Sequence, residues 1–290
     1  MKEKVILTTF TDPMMGLSYE CEPIFRKLET HFAGQIAFRY VMSLLVRDVR
    51  DFMTPDERAM EPSEGIRHYN ARLAKIYEAE ESISGMPINM TDFRLFSAER
   101  SSSWPLNLAY HAAKLADADK ANLFLYNLRY ATIVESRPTT RTEELLEVVR
   151  KTGIDAEKFR RHWRDGSAET ALNEDLRLWS RLRVRSLPAY LIQYHEKIVL
   201  LQSFDYGDFA SAIEELSAGT VRPQAVEPNA ETLLELLDRR PLISPIEVRE
   251  AFDLTDTDAV RKLIWPLLET GEVEIKETYH GWFIQRKMKG

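Results

Sequence analysis

Residues 5–42 constrain the fold more than any other stretch of the chain. Val5-Ile6-Leu7 is a short apolar run of the kind that forms a buried strand, and a turn signal at Asp12-Pro13 follows it. Apolar residues then recur at helical spacing, at Cys21, Ile24, Phe25, Leu28 and Phe32, until Gly34 stops the helix; residues 35–42 read as a second strand. Two strands joined through a helix in one sheet run parallel, with a right-handed crossover. The loop after Asp12 is thereby delivered to a helix N-terminus, where free N–H groups and the helix dipole favour an anion or a thiolate.

The pattern then changes. Thr54-Pro55-Asp56-Glu57 is a capping box with proline at the first helical position, and from about residue 54 to about 183 the spacing predicts almost continuous helix. Thr140-Arg141-Thr142-Glu143 starts one of these helices and Gly153 ends it. The block closes on Arg177, Arg181, Arg183 and Arg185. Next comes Ser186-Leu187-Pro188 and the apolar strand Ala189-Tyr190-Leu191-Ile192; a hairpin across Tyr194-His195-Glu196 to residues 197–201; and a helix over about 206–216.

Asp12-Pro13-Met14, four positions and then Tyr19 resemble the active-site loop of DsbA-like thioredoxin-fold proteins, in the branch described as predicted dithiol-disulfide isomerases. The family pattern there is Asp-Pro-x-Cys-x-x-Cys and an aromatic residue, which sets Met15 and Ser18 where the two cysteines belong. Ser102-Ser103-Trp104-Pro105, Ala112-Ala113 and Gly153-Ile154-Asp155 carry the resemblance through the helical block, and Pro188 resembles the cis-proline that faces the loop. The resemblance implies a thioredoxin fold over residues 1–218, with the helical block of about 54–183 inserted between its two halves. It also implies a substrate or peptide site built from Met15, Gly16, Leu17, Ser18, Leu187 and Pro188. Arg183 and Arg185 are candidate anion contacts beside it.

The chemistry of that family is missing. The chain has 1 cysteine, so a dithiol cycle is excluded by counting, and a thioether has no proton to lose. Cys21 reads as a small buried apolar residue rather than a reactive thiol. Ser18 as a nucleophile needs an activating base that the neighbouring sequence does not offer. The expected function is therefore a binding or adaptor protein that uses a site preserved in shape. The alternatives are a protein disulfide oxidoreductase or isomerase, as the family name implies, and a glutathione-dependent isomerase or transferase of the sister branch, whose Ser-Tyr pair Ser18-Tyr19 resembles. Glutathione is the cofactor of that last reading; the preferred one has none.

Residues 219–229, with Pro223 and Pro228, read as a linker. Beyond it, helices from about 230, at the capping box Ser244-Pro245-Ile246-Glu247, and from about 258 precede two strands turning at Tyr279-His280-Gly281, a winged-helix-like α+β unit over 230–290. Residues 224–290 hold nine Lys and Arg against thirteen Asp and Glu, and the whole chain has a net charge of -7. That balance argues against a general nucleic-acid binder, so a fourth reading, a transcription regulator, ranks below a protein or peptide partner. Trp265, Tyr279, Trp282 and Phe283 are the candidate contacts, and a homo-oligomer stays open. The six histidines lack the short spacings of a metal site. No stretch has the form of a signal peptide or a membrane span, so a cytoplasmic location is the expectation.

Overall fold

The computed structural model describes residues 3–287, so residues 1–2 and 288–290 of the two expected units lie outside the described residues. β1 (Val5–Thr11) and β2 (Ile36–Met42) run parallel, with Val5 opposite Ile36 and Thr11 opposite Met42. β3 (Ala189–Tyr194) pairs antiparallel with the other edge of β1 and β4 (Lys197–Leu201) pairs with β3, giving the order β2-β1-β3-β4. The βαβ and ββα halves thus share one sheet.

The crossover is two helices rather than the single one expected, α1 (Gly16–Glu20) and α2 (Glu22–His31). Pro23 explains the break: it has no N–H to return to the preceding turn, so a new helix starts with proline in its first turn.

On one sheet face, α2 and a late helix over Tyr206–Leu216 cover Val5, Leu7, Tyr190 and Ile192, which alternate along their strands. Phe25, Tyr190 and Phe209 meet edge to face there, with ring centroids 4.9 to 6.3 Å apart.

The helical block runs through α3 (Pro55–Ala59), α4 (Pro62–Glu80), α5 (Trp104–Ala116), α6 (Ala121–Arg129), α7 (Thr142–Lys151), α8 (Ala156–Arg164) and α9 (Ser167–Arg181). The end of α9 lays Leu178, Trp179 and Leu182 against Phe10, Val41 and Ala189 on the second sheet face. The Thr54 box forms as predicted: its hydroxyl accepts from the Glu57 N–H, and the Glu57 carboxylate accepts from the Thr54 N–H.

Two expectations for this block fail. Residues 81–103 form no α-helix. Gly85 takes a φ of 83° there, and Met86, Ile88 and Met90 bury at alternate positions, an extended period in which helical spacing is lost. α7 starts at Thr142 behind an uncapped Arg141, one residue later than a Thr140 cap would set it, because the buried Thr140 hydroxyl donates to the Leu95 carbonyl instead.

α10 is the Tyr206–Leu216 helix already described. The stretch expected to be a linker is tied to the body: Val221 is buried beneath the sheet, and the Gln224 N–H donates to the His31 carbonyl at 2.7 Å.

After it come α11 (Ala230–Arg239), β5 (Leu242–Ile243), α12 (Pro245–Ala251), α13 (Thr257–Glu269), β6 (Val273–Thr278) and β7 (Gly281–Arg286). β5, absent from the sequence reading, completes a sheet of order β5-β7-β6. This part has its own core, including Leu233, Leu237, Val248, Val260, Ile264 and Ile284.

It docks through α12, which lies along α2, and through Phe283, whose ring meets Tyr130 with centroids 4.8 Å apart. Between them sits a buried charge network. Arg26 donates to Glu22 at 2.8 Å and also to Glu29, and its Nε lies 3.3 Å from Glu247 of α12. Arg129 donates to the other oxygen of Glu22 at 2.8 Å, and Tyr126 donates to Glu247 at 2.7 Å. Arg240 donates to Glu29 at 3.2 Å, and the Glu29 carboxyl, despite its burial, is drawn down to about 2 by Arg240, Arg26 and Arg239. Among the described residues, no helix is long and apolar enough to cross a membrane.

Candidate functional site

The Asp12 side chain is the hub of the loop. It is fully buried; one oxygen accepts from the Met14 N–H at 3.0 Å, and the other accepts from the Leu45 N–H (2.8 Å), the Ser103 hydroxyl (2.7 Å) and the Asn107 amide (2.8 Å). Burial pushes its carboxyl above the ordinary range, and these four donors oppose that shift. One carboxylate therefore fixes three pieces of chain: the loop after β1, the loop after β2 and the start of α5. Tyr77 of α4 also donates to the Met14 carbonyl.

Between the first two loops and the end of α9 opens a groove of about 390 Å³. Met15, Ser43, Leu44, Leu45 and Arg47 form one wall, continued by Asp51 and Phe52. Trp179, Arg185, Ser186 and Leu187 form the other. The Leu187-Pro188 peptide bond is cis, and Pro188 is buried.

Of the residues expected from the sequence, Met15, Leu187 and Arg185 meet in the groove. Gly16, Leu17, Ser18, Pro188 and Arg183 are not among its lining residues. Gly16 faces α4 so closely that a Cβ there would lie 1.9 Å from a Glu80 oxygen and 2.6 Å from the Tyr77 ring. Ser18 is fully buried, with its hydroxyl 2.7 Å from that of Thr11, which in turn accepts from Arg129 at 2.9 Å. A guanidinium is no base, so this chain of contacts gives Ser18 no route to an alkoxide.

A thioredoxin family profile matches residues 8–200, well over half of the chain. The chain belongs to the thioredoxin family. Among curated relatives, the "ClpXP adapter protein SpxH" of Bacillus cereus is 23% identical over 287 residues, covering 96% of this chain and 90% of its own. The protein of the same name from Bacillus subtilis is 22% identical over 286 residues, covering 97% and 89%.

Two solved structures share the fold. A putative protein disulfide isomerase from Nitrosomonas europaea has a TM-score of 0.57 at 13% identity, covering 74% of this chain and 97% of its own. The cytosolic disulfide reductase DsbM from Pseudomonas aeruginosa has a TM-score of 0.54 at 20% identity, covering 80% and 99%. This thioredoxin-family chain is a DsbA-like member with Met15 and Ser18 in place of the paired cysteines.

Its one cysteine lies outside the groove. Cys21 is 1% exposed and accepts from the Tyr190 hydroxyl at 2.9 Å; burial pushes its thiol up to about 12. A thiol this acid-weak and covered forms almost no thiolate near neutral pH. Native protein at about pH 8 should therefore take up less than about a tenth of an equivalent of a thiol reagent such as 5,5′-dithiobis(2-nitrobenzoate), and one full equivalent in guanidinium. Fast labelling of the native protein would contradict this burial.

Behind the groove, Glu20 and Glu80 add a pH dependence. Burial pushes Glu20 up to about 8, against hydrogen bonds from the Ser84 hydroxyl and N–H and with repulsion from Glu80 and Glu81; burial alone takes Glu80 to about 7. The unfolded value is 4.5, so the folded protein holds these protons to higher pH, and stability is lost as pH rises from 4.5 to about 8. Glu20→Gln cannot ionise, so its melting temperature should gain on the parent's between about pH 5 and about pH 8. A difference independent of pH would show that Glu20 titrates normally.

The sequence reading missed most of the groove. Residues 43–52 carry no motif, although an exposed aromatic such as Phe52, just after a single 3-10 turn, is the kind of feature that marks a contact surface. Trp179, at the end of the helical block, carries no signal that sets it apart, yet it lines the groove.

Proposed function

We propose that this protein is a binding protein of the adapter type. It holds an extended segment of a partner protein in the groove between Met15 and Leu187-Pro188, and it does no thiol chemistry there. The observation that carries this reading is the placement of the groove: it opens where the redox motif would act, with a thioether in its wall, while Ser18 and Cys21 are sealed away from it. Backbone beside a proline of this kind can pair with an extended chain by strand addition, which needs no thiol.

The Bacillus relatives named ClpXP adapter proteins support the same reading, in which the partner is a cytoplasmic protein handed to ClpXP. The winged-helix-like arrangement of residues 230–287 supplies a second contact surface, with Trp265 and Tyr279 60% and 71% exposed. Arg261, a residue that a DNA-reading α13 would need, lies instead over the Trp282 ring at 4.5 Å, and the surplus of acidic residues repels phosphate.

The test begins with a host lacking the protein, in which its partner should accumulate. With that partner purified, adding the protein should accelerate its degradation by ClpXP, and Leu187→Glu, which puts a charge on the apolar wall, should remove the acceleration. Acceleration that survives Leu187→Glu would move the binding site away from the groove. Turnover in an insulin reduction assay above that of a Cys21→Ala control would restore the oxidoreductase reading.

A further inference from the structure

The groove contains two polar atoms that the fold leaves without partners. Ser43 is 3% exposed, and its Oγ has no hydrogen-bond partner among the described residues; the indole Nε1 of Trp179, on the facing wall, has none either. Both atoms can donate, and the indole N–H can only donate. Leaving such groups buried and unpaired forfeits their hydration without a replacement, which native structures seldom tolerate outside functional places. Two guanidiniums stand beside them: Arg47 and Arg185 line the same groove, are exposed, and join no ion pair among the described residues. Asp51 is the one acidic group of the lining. Apart from Ser186, the rest of the lining is apolar, through Met15, Leu44, Leu45, Phe52 and Leu187.

We infer that the groove reads a carboxylate side chain, Asp or Glu, flanked by apolar residues in the bound segment. Trp179 Nε1 and Ser43 Oγ donate to the carboxylate oxygens, and Arg185 with Arg47 neutralises the charge. A carboxylate is the ligand group that offers several acceptor lone pairs together with the negative charge these guanidiniums complement. These two atoms are shielded from solvent although their residues line the groove, so a bound segment reaches them when the lining shifts; Met15, unbranched and with three rotatable bonds, is the most adaptable of that lining. This inference rests on the adapter reading and specifies what that site selects. The signal is local, because the chain as a whole is acidic and would repel an acidic segment elsewhere.

The test uses the full-length protein and calorimetric titration at low salt. The probe is acetyl-Ala-Leu-Glu-Leu-Ala-amide, whose one carboxylate is on a side chain. It is compared with its Gln twin, and with the Gln twin carrying a free C-terminal carboxylate. The Glu peptide should bind about tenfold more tightly than the Gln twin. Trp179→Phe, which keeps a ring and removes the N–H, and Arg185→Gln should each reduce that ratio to about threefold or less.

Equal binding of the Glu and Gln peptides would overturn the carboxylate inference and leave the groove reading standing. Preference for the free C-terminal acid would overturn the side-chain source. A ratio that persists in both variants would overturn the assignment to Trp179 and Arg185. Failure of all three peptides to bind would overturn both the inference and the groove reading.

Discussion

Truncating Arg26 to alanine is expected to destabilise the protein by about 3–5 kcal/mol, read as a shift in the urea midpoint, and to loosen residues 230–287 from the body. Arg26 is 1% exposed and faces three carboxylates, Glu22, Glu29 and Glu247, contributed by α2 and α12. Removing the guanidinium leaves those acidic groups buried, with Arg129, Arg239 and Arg240 as their remaining cationic partners. The cost of an uncompensated buried charge exceeds that of lost packing, so Arg26→Lys, which keeps the charge and loses the fork, should fall between parent and alanine. Limited proteolysis within residues 219–229 should accelerate in the alanine variant, because the docking of α12 on α2 is what holds that stretch between two packed parts. A loss below about 1 kcal/mol would mean that the network behaves as a solvated surface cluster.

Asp12→Ala is expected to cost about as much, at about 3–5 kcal/mol, and to act on binding as well. Four buried donors lose their acceptor together: the Met14 and Leu45 N–H groups, the Ser103 hydroxyl and the Asn107 amide. Two of the four belong to the segments that carry Met15 and Leu44, so the groove should lose its shape before the rest of the fold unravels. Asp12→Asn gives a sharper comparison. Its oxygen can keep the cluster of Leu45, Ser103 and Asn107, but its amide then points a donor at the Met14 N–H. Urea midpoints should rank parent, Asn, Ala in falling order. An Asn variant equal to the parent would show that the carboxylate is held protonated, the direction in which burial already pushes it.

The skeleton of the fold was legible because its signals are local. Strand and helix periods over residues 5–42, the turn at Asp12-Pro13 and the apolar strand after Pro188 survive in any packing, and their order alone implies the βαβ and ββα halves. The stop at Cys21 was also written in the chain, at Pro23, but the helical spacing of Ile24, Phe25 and Leu28 runs across it and concealed it. What was not legible depends on contacts distant in sequence. Nothing near Asp12 announces that it will meet Ser103 and Asn107, and nothing near Glu247 announces Arg26 and Tyr126. The same holds for the aromatic residues of the last segment. Trp282 and Phe283, on opposite faces of β7, both pack, the first into the core of the last segment and the second against Tyr130, while Trp265 on α13 and Tyr279 in the turn stay exposed. The site was legible as a position and not as a surface: Met15 and Leu187 could be named, whereas Ser43, Phe52 and Trp179 enter only when three separated segments fold together.

The most direct measurement is hydrogen exchange of the full-length protein with and without the partner that accumulates in its absence. Protection concentrated in residues 43–52 and 185–188, the groove walls that a bound segment would cover, is the predicted result. Protection confined to residues 230–287, with exchange around the groove unchanged, would contradict the account.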